Sequence, residues 1–459
     1  MIHAYTLHGK HIILDTGSGA VHVTDPVAYY AITHWPVTDS ELRARFPGEN
    51  PDGLTEDIEA LIAAQKLFSP EIELAPMRSE AQRTLTRPEG AEPHRRCKAL
   101  CLHVSHTCNL TCDYCFAQAG RYRGEEALMP FEVGRRALDY LLEHSGGHKN
   151  LEVDFFGGEP LLNWQVVKDL VRYAREKERE AGKRFRFTLT TNGVLIDDDV
   201  IAFCNREMSN AVLSLDGRRE VHDHLRRTVH GRGSYDLVVP KFQKFARAHC
   251  ASEHSGEKNY YMRGTFTHFN PDFTRDLYHM AGLGFHSLSM EPVVCAPESE
   301  YALTPADIEK IKAEYEALAL EMARRRGTPE AFSFYHYNLD LKHGPCIYKR
   351  VKGCGSGTEY MAVTPAGEFY PCHQFVGEPD FCMGSVWEGV TRPDIHAQFT
   401  ACTLQTRPAC RGCWAKYWCA GGCAANAYHA CGNINGVYEA GCELFKKRME
   451  CAIWLAVGA

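Results

Sequence analysis

The sequence has no cysteine from Met1 to Arg96, although the whole chain has 20. No apolar run reaches the roughly 18 residues needed to span a bilayer. The first residues, Met1-Ile2-His3-Ala4-Tyr5, also lack the basic and apolar regions of a signal peptide. We therefore expect a cytoplasmic protein without a membrane partner. Because cytosolic thiols are kept reduced, its cysteines are expected to serve metal binding or catalysis rather than disulfides.

An excess of positive charge is missing as well. Lys and Arg number 51 against 58 Asp and Glu, a net charge of −7, so the composition favours neither nucleic acid nor an anionic membrane as a partner. The 459 residues are enough for two to four domains, and the 44% hydrophobic content can fill their cores.

A cysteine triplet follows the short apolar run from Ala99 to Val104. Cys108, Cys112 and Cys115 have C-x3-C-x2-C spacing. A cubane iron–sulfur cluster has four irons, so three cysteines leave one iron open to an outside ligand. The alternative is a structural metal site, but tetrahedral zinc sites close with a fourth Cys or His at a regular offset, and none follows here. The spacing favours an open iron–sulfur cluster.

Residues 1–70 have the pattern of a small separate module. A hairpin is expected to join a strand at His11–Leu14 to one at Ala20–Val23, and Leu67-Phe68 is expected to form a last strand. Helices are predicted at Pro26–Thr33, Ser40–Arg45 and Thr55–Lys66, the last capped by Thr55. Residues 71–97 fall in a polar, proline-containing stretch that predicts a linker.

Residues 98–326 alternate short apolar strands with amphipathic helices, a pattern that predicts an α/β fold with a parallel sheet, here a partial (β/α)6 barrel of the TIM type. The predicted strands are Ala99–Val104, Leu151–Phe156, Arg186–Thr191, Ala211–Ser214, Tyr261–Phe266 and Ser287–Glu291. In such barrels the chemistry lies where strands end. Five predicted strands end in cysteine, glycine or polar residues of the kind that such chemistry uses. These strand ends are the cysteine triplet, Gly157-Gly158-Glu159-Pro160, Thr190-Thr191-Asn192-Gly193, Ser214-Leu215-Asp216-Gly217 and Glu291-Pro292.

The triplet, the Gly-Gly-Glu-Pro turn and the barrel together resemble the radical S-adenosylmethionine (SAM) enzymes, from about Lys98 to Pro292. The resemblance implies that the open iron of a [4Fe-4S] cluster binds SAM, whose reductive cleavage releases a 5′-deoxyadenosyl radical. It implies a SAM site formed by Tyr114, Gly157, Gly158, Glu159, Pro160, Thr191, Asn192, Ser214 and Arg226. From the residues alone, Arg226 is equally compatible with an exposed arginine in a basic run, and Asp216 with a turn residue.

The cysteines of residues 327–459 follow a second pattern, which resembles the SPASM extension of radical SAM enzymes. The spacing is Cys354-x12-Gly367-x4-Cys372, then Cys410-x2-Cys413-x5-Cys419-x3-Cys423, a gap, and Cys442. The resemblance implies two auxiliary [4Fe-4S] clusters, an outer one on Cys410, Cys413, Cys419 and Cys442 and an inner one on Cys354, Cys372 and Cys423. Each cubane cluster has four irons that take one ligand each, so either Cys346 completes the inner cluster or that cluster is open to substrate. Zinc at the C-x2-C pairs is the structural alternative.

The first module resembles the PqqD-like recognition element, a winged-helix unit that binds the leader of a ribosomally made peptide as an added strand. Its opening residues, together with Tyr370-Pro371-Cys372-His373-Gln374-Phe375, resemble maturases of SCIFF peptides, which join a cysteine sulfur to a carbon as a thioether. The expected partners are a short cysteine-rich precursor peptide, with its leader bound at residues 1–70, and a flavodoxin- or ferredoxin-type electron donor.

The resemblance predicts hydrogen abstraction from a substrate residue, here threonine, and capture of its carbon by a cysteine sulfur at the inner cluster. A cationic iron lowers the pKa of a bound thiol, so no strong protein base is needed. His373 stands where sulfatase-maturating relatives have Asp; it is a candidate for taking a proton, or a hydrogen-bonding neighbour of the cluster. The rivals are carbon–carbon or ether crosslinking, formylglycine formation, and a non-enzymatic iron–sulfur electron carrier.

Overall fold

The structure is a computed structural model that describes residues 1–71, 97–118, 120–253, 258–339, 341 and 351–458. Nearly all of the predicted linker, residues 72–96, lies outside the described residues. The same holds for Cys346, the candidate fourth ligand of the inner cluster. Within the described residues, no helix is both long enough and apolar enough to cross a membrane.

The first module is a three-stranded antiparallel sheet with three helices around its own small core. The predicted hairpin is confirmed, with Ile12 opposite Val23, but a further strand at Ile2–Leu7 pairs with its first strand. The elements are β1 (Ile2–Leu7), β2 (Lys10–Asp15), β3 (Val21–Thr24), α1 (Pro26–Thr33), α2 (Asp39–Arg45) and α3 (Leu54–Ala63).

Two predictions for this module are wrong. Leu67 and Phe68 form no strand; they lie in a bend where the side chain of Leu67 is buried against the core of the module. Thr55 does not cap α3, because the chain enters that helix one residue earlier, through Gly53 in the left-handed conformation (φ +81°). Thr55 Oγ1 instead donates a hydrogen bond of 2.7 Å to Asp39, which ties α3 to α2.

The central part of the chain contains all six predicted strands, each followed by a helix or loop. Every residue of the first of them is buried, as expected of a parallel strand covered on both faces. The elements are β4 (Ala99–Ser105), β5 (Leu110–Cys112), α4 (Phe131–His144), β6 (Asn150–Gly157), α5 (Trp164–Ala181), β7 (Arg184–Thr191), α6 (Asp198–Glu207), β8 (Asn210–Ser214), α7 (Arg219–Leu225), β9 (Arg226–Thr228), α8 (Tyr235–Cys250), β10 (Asn259–Phe266), α9 (Phe273–Gly282), β11 (Ser287–Pro292), α10 (Pro305–Arg325) and β12 (Ser333–Phe334).

The sheet follows the chain order of these strands. Neighbours pair in the order β12-β11-β10-β8-β7-β6-β4, and every one of these pairs is parallel. The carboxyl ends of the strands therefore meet at one edge, as the barrel prediction requires. Strands β5 and β9 stay outside this sheet and form a separate two-stranded antiparallel ribbon above that edge.

The last part of the chain extends the same sheet, because its first strand pairs in parallel with β4. Short strands and helices then carry the remaining cysteines. They are β13 (Tyr360–Val363), β14 (Glu368–Tyr370), β15 (Gly384–Ser385), β16 (Gly389–Val390), α11 (Pro393–Ala401), α12 (Pro408–Arg411), α13 (Lys416–Cys419), α14 (Ala424–Cys431) and α15 (Glu439–Ala456).

The first module packs against this last part. The hydroxyl of Tyr5 on β1 donates a 2.9 Å hydrogen bond to the carbonyl oxygen of Glu450 on α15, and His3 Nε2 lies 3.0 Å from the carboxylate of the same residue. The His3 ring also stacks on Trp414 at a centroid distance of 3.8 Å. The module is thus attached to the cysteine-rich part of the chain through β1, on the opposite side of its sheet from β3.

Candidate functional site

A cavity of about 260 Å³ opens at the carboxyl edge of the parallel sheet. The three cysteines of the triplet line it, as do side chains from the ends of β6, β7, β8, β10 and β11. Of the predicted SAM-site residues, those that line it are Tyr114, Gly157, Gly158, Thr191, Asn192, Ser214 and Arg226. Glu159 and Pro160 are buried beside it without forming its wall.

The sulfur of Cys108 already accepts hydrogen bonds from the protein. The backbone N–H of Leu110 donates to it at 3.4 Å and the side-chain amide of Asn192 at 3.6 Å. Burial raises the pKa of Cys108 to about 11 and that of Cys112 to about 12. The three sulfurs are close enough for Cys108 and Cys115 to add to the rise at Cys112, whereas the charge of Arg226 opposes it. A cation bound by the triplet would favour the thiolate forms, which burial and the neighbouring thiols disfavour.

The ribbon of β5 and β9 brings Arg226 to the cysteine triplet, with Cys112 directly opposite Arg226 in the register. Arg226 is only 9% exposed, so the exposed-arginine alternative is wrong. Its Nε lies 3.4 Å from Asp216 Oδ2 but makes no hydrogen bond within the described residues. The guanidinium also lies 6.0 Å from the ring centroid of Tyr114. A buried cation with an unused donor therefore faces the cavity.

Asp216 is a buried residue whose carboxylate links neighbouring segments of the site. Its carboxylate accepts 2.9 Å hydrogen bonds from the hydroxyl of Tyr114 and from the backbone N–H of Thr265. Burial raises its pKa, while the charge of Arg226 and the two hydrogen bonds act in the opposite direction. Asp216 thus fixes Tyr114 and Arg226 relative to the end of β10.

The glycine pair after β6 allows two backbone segments to approach closely. Gly158 N donates to Ser105 O at 2.7 Å, and the N–H of Glu159 donates to Thr107 O at 2.9 Å. A Cβ on Gly158 would lie 2.1 Å from Thr107 O, and one on Gly157, whose φ is +125°, would lie 2.2 Å from Ser105 O. Only glycine fits here, and the contact fixes the start of the cysteine loop against the end of β6.

Glu159 is completely buried and points away from the cavity. Its carboxylate accepts hydrogen bonds from Thr191 Oγ1 and Asn192 N, both at 2.8 Å, and from Leu161 N at 3.0 Å. Burial raises its pKa to about 6, although these hydrogen bonds lower it. The structure therefore shows Glu159 holding the end of β7 next to the end of β6, a position from which it orients Asn192 toward Cys108.

Several residues of the cavity wall were not singled out in the sequence. They include Phe116, Phe156, Arg263, Thr265, Val293 and Val294. Arg263 is exposed and lines the cavity from β10, and Glu291 on β11, which pairs with Thr265, is held by His336 and Arg448 at 3.4 Å each. A charged residue at the fourth from last position of a predicted barrel strand is a signal that could have identified Arg263.

Part of the cavity wall belongs to the cysteine-rich part of the chain. His373 and Gln374, which follow Cys372, line it, and His373 packs 5.0 Å from Phe156 and 5.8 Å from Phe116 between ring centroids. Gln374 Nε2 lies 4.0 Å from the sulfur of Cys423. Burial lowers the pKa of His373 to about 4, with the charge of Arg263 acting in the same direction, so the imidazole is neutral at neutral pH.

The seven cysteines of the second pattern form two groups. The outer set is Cys410, Cys413, Cys419 and Cys442, and the inner set is Cys354, Cys372 and Cys423. Burial raises the pKa of Cys419 and Cys442 in the outer set and of Cys372 and Cys423 in the inner set, and other thiols of the same set add to each rise. In the described part of the chain, no three Cys, His, Asp or Glu side chains converge on the position of a single metal ion. Ligands of a cubane bind different irons and need not converge in that way.

Comparison with known protein families gives a match to the radical SAM superfamily at residues 102–255. Among relatives, an uncharacterized protein of Methanocaldococcus jannaschii is 30% identical over 30% of this chain and 44% of its own length. The radical SAM cyclopropyl synthase TigE of Paramaledivibacter caminithermalis is 21% identical over 83% of this chain and 78% of its own. A cysteine-type anaerobic sulfatase-maturating enzyme of Clostridium perfringens is 28% identical over 31% of this chain and 39% of its own.

Two solved structures share the fold. Native anSMEcpe with bound AdoMet and Kp18Cys peptide has a TM-score of 0.61 and 19% identity, covering 78% of this chain and 98% of its own. Streptococcus suis SuiB bound to precursor peptide SuiA has a TM-score of 0.53 and 15% identity, covering 93% and 95%. Residues 102–255 therefore match the radical SAM superfamily, and the chain shares the mainly parallel α/β fold of these structures.

Proposed function

We propose that this protein is a radical SAM maturase that joins a cysteine sulfur to a carbon of a neighbouring residue, threonine, in a short cysteine-rich precursor peptide of the SCIFF type. The observation that carries the proposal is the composition of the cavity wall. The cysteine triplet lines the cavity, and so do His373 and Gln374, which lie beside Cys372 and Cys423 of the inner set. A peptide in this cavity would lie next to a radical source and near a second group of thiols.

The cavity wall has the chemistry that a [4Fe-4S] cluster and SAM require. Three cysteine sulfurs face it, the backbone of Gly157 and Gly158 borders it, and Arg226 has an unused donor for a carboxylate. The proposed contacts are Cys108, Cys112 and Cys115 with the cluster, Arg226 and the hydroxyl of Ser214 with the carboxylate or ribose, and Tyr114 with the adenine. Glu159 and Asn192 are proposed to position these groups.

Residues 327–459 are proposed to form a SPASM domain with two auxiliary [4Fe-4S] clusters. The support is the division of its thiols into the outer and inner sets. The inner set has three members within the described residues, so we propose that it offers an open iron to the substrate sulfur unless Cys346 closes it.

When bound, the cluster on Cys108, Cys112 and Cys115 would supply, together with SAM, a radical able to remove one hydrogen atom from the substrate carbon. The auxiliary clusters would accept the one electron released when the deprotonated substrate thiol joins that carbon. The residues of this chain bind and orient the substrate and shield it from water. Phe116, Phe156 and Val293 give the cavity apolar walls that exclude water from a reactive carbon. The neutral imidazole of His373 faces the same space and can accept a hydrogen bond from a bound thiol.

The test is anaerobic maturation of the peptide encoded next to this chain's gene. Reconstituted protein is incubated with SAM, a reductant and the full-length peptide. We expect one 5′-deoxyadenosine for each crosslink, a mass loss of two hydrogens, and one fewer thiol that reacts with an alkylating reagent. A mass loss with every thiol still reactive would exclude the thioether and favour carbon–carbon or ether crosslinking. Conversion of a cysteine or serine to an aldehyde would indicate formylglycine formation.

We propose further that residues 1–70 form a PqqD-like recognition element that binds the peptide leader along β3. This strand pairs with β2 on one side, and no strand in the described residues pairs with its other side. Val23, at 50% exposure, leaves an apolar side chain on this strand. An exposed strand edge of this kind accepts an extended peptide through main-chain hydrogen bonds, while side chains along the edge give specificity.

Replacing Val23 by Asp is therefore expected to weaken binding of the full-length peptide by roughly tenfold, or about 1.4 kcal/mol. The change puts a charge where the leader's apolar side chain would lie. Fluorescence anisotropy of a labelled peptide measures the affinity, and 5′-deoxyadenosine formation without peptide should stay at the wild-type rate.

The matched control is Thr6→Asp, which places the same charge at an exposed position on β1, the opposite edge of the sheet. It should leave peptide affinity within about twofold of wild type, which is about 0.4 kcal/mol. Equal loss of affinity in both variants would contradict docking along β3.

A further inference from the structure

Arg407 is a buried arginine that has no carboxylate partner among the residues that the structure describes. Only 3% of its surface is exposed, and it lies directly before α12. In the described part of the chain, its guanidinium donates to the carbonyl oxygens of Gly421, Ile434 (2.9 Å) and Gly436 (3.3 Å) and to the sulfur of Cys402 (3.1 Å). These partners satisfy its hydrogen bonds but do not neutralise its charge.

A buried charge of this kind is costly unless an opposite charge is near. A buried charge that lacks a partner stays desolvated and uncompensated. Carbonyl dipoles offset only part of that cost. The backbone nevertheless packs closely against the side chain, since a Cβ on Gly421 would lie 3.3 Å from Arg407 Cδ and 3.4 Å from its Nε. The position therefore calls for an anionic neighbour.

The outer and inner sets of cysteines both lie next to this guanidinium. Arg407 precedes Cys410 by three residues, its bonded carbonyl at Gly421 is two residues before Cys423, and it shares a small cavity of about 20 Å³ with Cys354. The backbone N–H of Cys410 also donates a 3.0 Å hydrogen bond to Arg407 O. Arg407 thus lies beside members of both sets.

We infer that Arg407 is the counter-charge shared by the two auxiliary clusters and that it raises the reduction potentials of both. The inference rests on the proposed function, because it takes the two cysteine sets as cluster ligands. A cluster held by thiolates gains one more negative charge on reduction, and a fixed nearby cation stabilises the reduced form more than the oxidised form. Arg407 is a positioning residue, since it acts on the clusters and touches no substrate.

The test uses the full chain with Cys108, Cys112 and Cys115 changed to alanine, so that only auxiliary clusters give a signal. Iron content and electron paramagnetic resonance during a redox titration are measured with Arg407, R407Q and R407K. In R407Q the ratio of reduced to oxidised cluster at a fixed potential should fall by about tenfold, equivalent to about 59 mV for one electron. R407K keeps the charge but loses the planar fork, and it should shift the ratio by less than about threefold, or roughly 28 mV.

Arg411 provides the matched control, because it is an exposed arginine next to Cys410 on the same short helix. Solvent screens its charge, so R411Q should leave the potentials unchanged. Purely structural effects of R407Q, through the loops that hold Gly421 and Gly436, would lower iron content or stability without a common shift of both potentials in one direction.

The outcomes separate the two proposals. A triple variant without iron would refute the auxiliary clusters and, with them, this inference. Bound iron with unchanged potentials in R407Q would overturn the inference alone, as would equal shifts in R407Q and R407K. If R407Q loses iron while R407K keeps it, the charge is required for binding the anionic clusters, as inferred; if both lose it, the side chain acts as a hydrogen-bonding brace and the inference is wrong.

Discussion

Replacing Cys112 by alanine is expected to reduce 5′-deoxyadenosine formation at least roughly a thousandfold, equivalent to about 4 kcal/mol of activation free energy. Cys112 is one of three cysteines that line the cavity, and the described part of the cavity wall provides no other cysteine. With three cysteine ligands a cubane cluster keeps one iron free for SAM, whereas two cysteines do not bind the cluster stably. The loss should therefore be almost complete, and iron content should fall by about four per chain.

The measurement is quantification of 5′-deoxyadenosine and iron after anaerobic reconstitution. Cys204→Ala is the matched control, because Cys204 is a buried cysteine on α6 away from the cavity. It behaves as a small apolar residue, so its loss should cost about 1 kcal/mol of unfolding free energy and leave SAM cleavage intact. Wild-type SAM cleavage by the Cys112 variant would refute a cluster on this triplet as the radical source, whereas absence of SAM cleavage in the wild-type protein would favour a non-enzymatic electron carrier.

Replacing Gly158 by alanine is expected to be the most damaging change that removes no functional group. The new methyl carbon would lie 2.1 Å from Thr107 O, far inside contact distance, and the obstacle is backbone that cannot rotate away. The loop before Cys108 would have to move from the end of β6, which breaks the hydrogen bonds to Ser105 and Thr107. Overpacking of this kind costs about 3 kcal/mol of unfolding free energy.

The expected functional result is loss of SAM affinity by at least about tenfold, since both the glycine backbone and the first cysteine are displaced. Thermal unfolding and equilibrium dialysis with labelled SAM measure the two effects. Gly147→Ala is the control, because a Cβ at Gly147 meets no atom within 4 Å and its backbone does not require glycine. A Gly158 variant as stable and as tight in SAM binding as the Gly147 variant would show that the close backbone approach is not needed.

The sheet could be predicted because its strands are short, apolar and followed by turns. All six predicted strands are present, with ends differing by one or two residues. β1 was missed because Ile2–Leu7 is half-buried and lacks a turn signal before it, so only the next hairpin stood out. The two-residue strand β12 is too short for any periodicity. Short or half-buried strands gain their stability from neighbours that a local pattern does not contain.

The site was predictable where a single stretch carries the chemistry, as with the triplet and the glycine pair. The site was less predictable where a contact joins segments that are distant in the sequence. The sequence leaves Arg226 undecided because its burial comes from the pairing of β9 with β5 across more than a hundred residues. Glu159 looked like a ligand, yet its carboxylate is occupied by Thr191, Asn192 and Leu161. Arg407 gave no signal, because its isolation from carboxylates exists only in the folded chain.

The ribbon of β5 and β9 brings a thiol and a guanidinium together through the pairing of its two strands. Cys112 and Arg226 face each other in its register, and Leu110, buried at the other end, holds that register in place. In an antiparallel pair, a slip of one residue would turn every side chain to the opposite face. A single insertion in an exposed loop of the chain that joins β5 to β9 can be absorbed there, whereas one inside either three-residue strand would separate thiol and guanidinium at once. The length of the connecting chain is therefore free to vary while the ribbon itself is not.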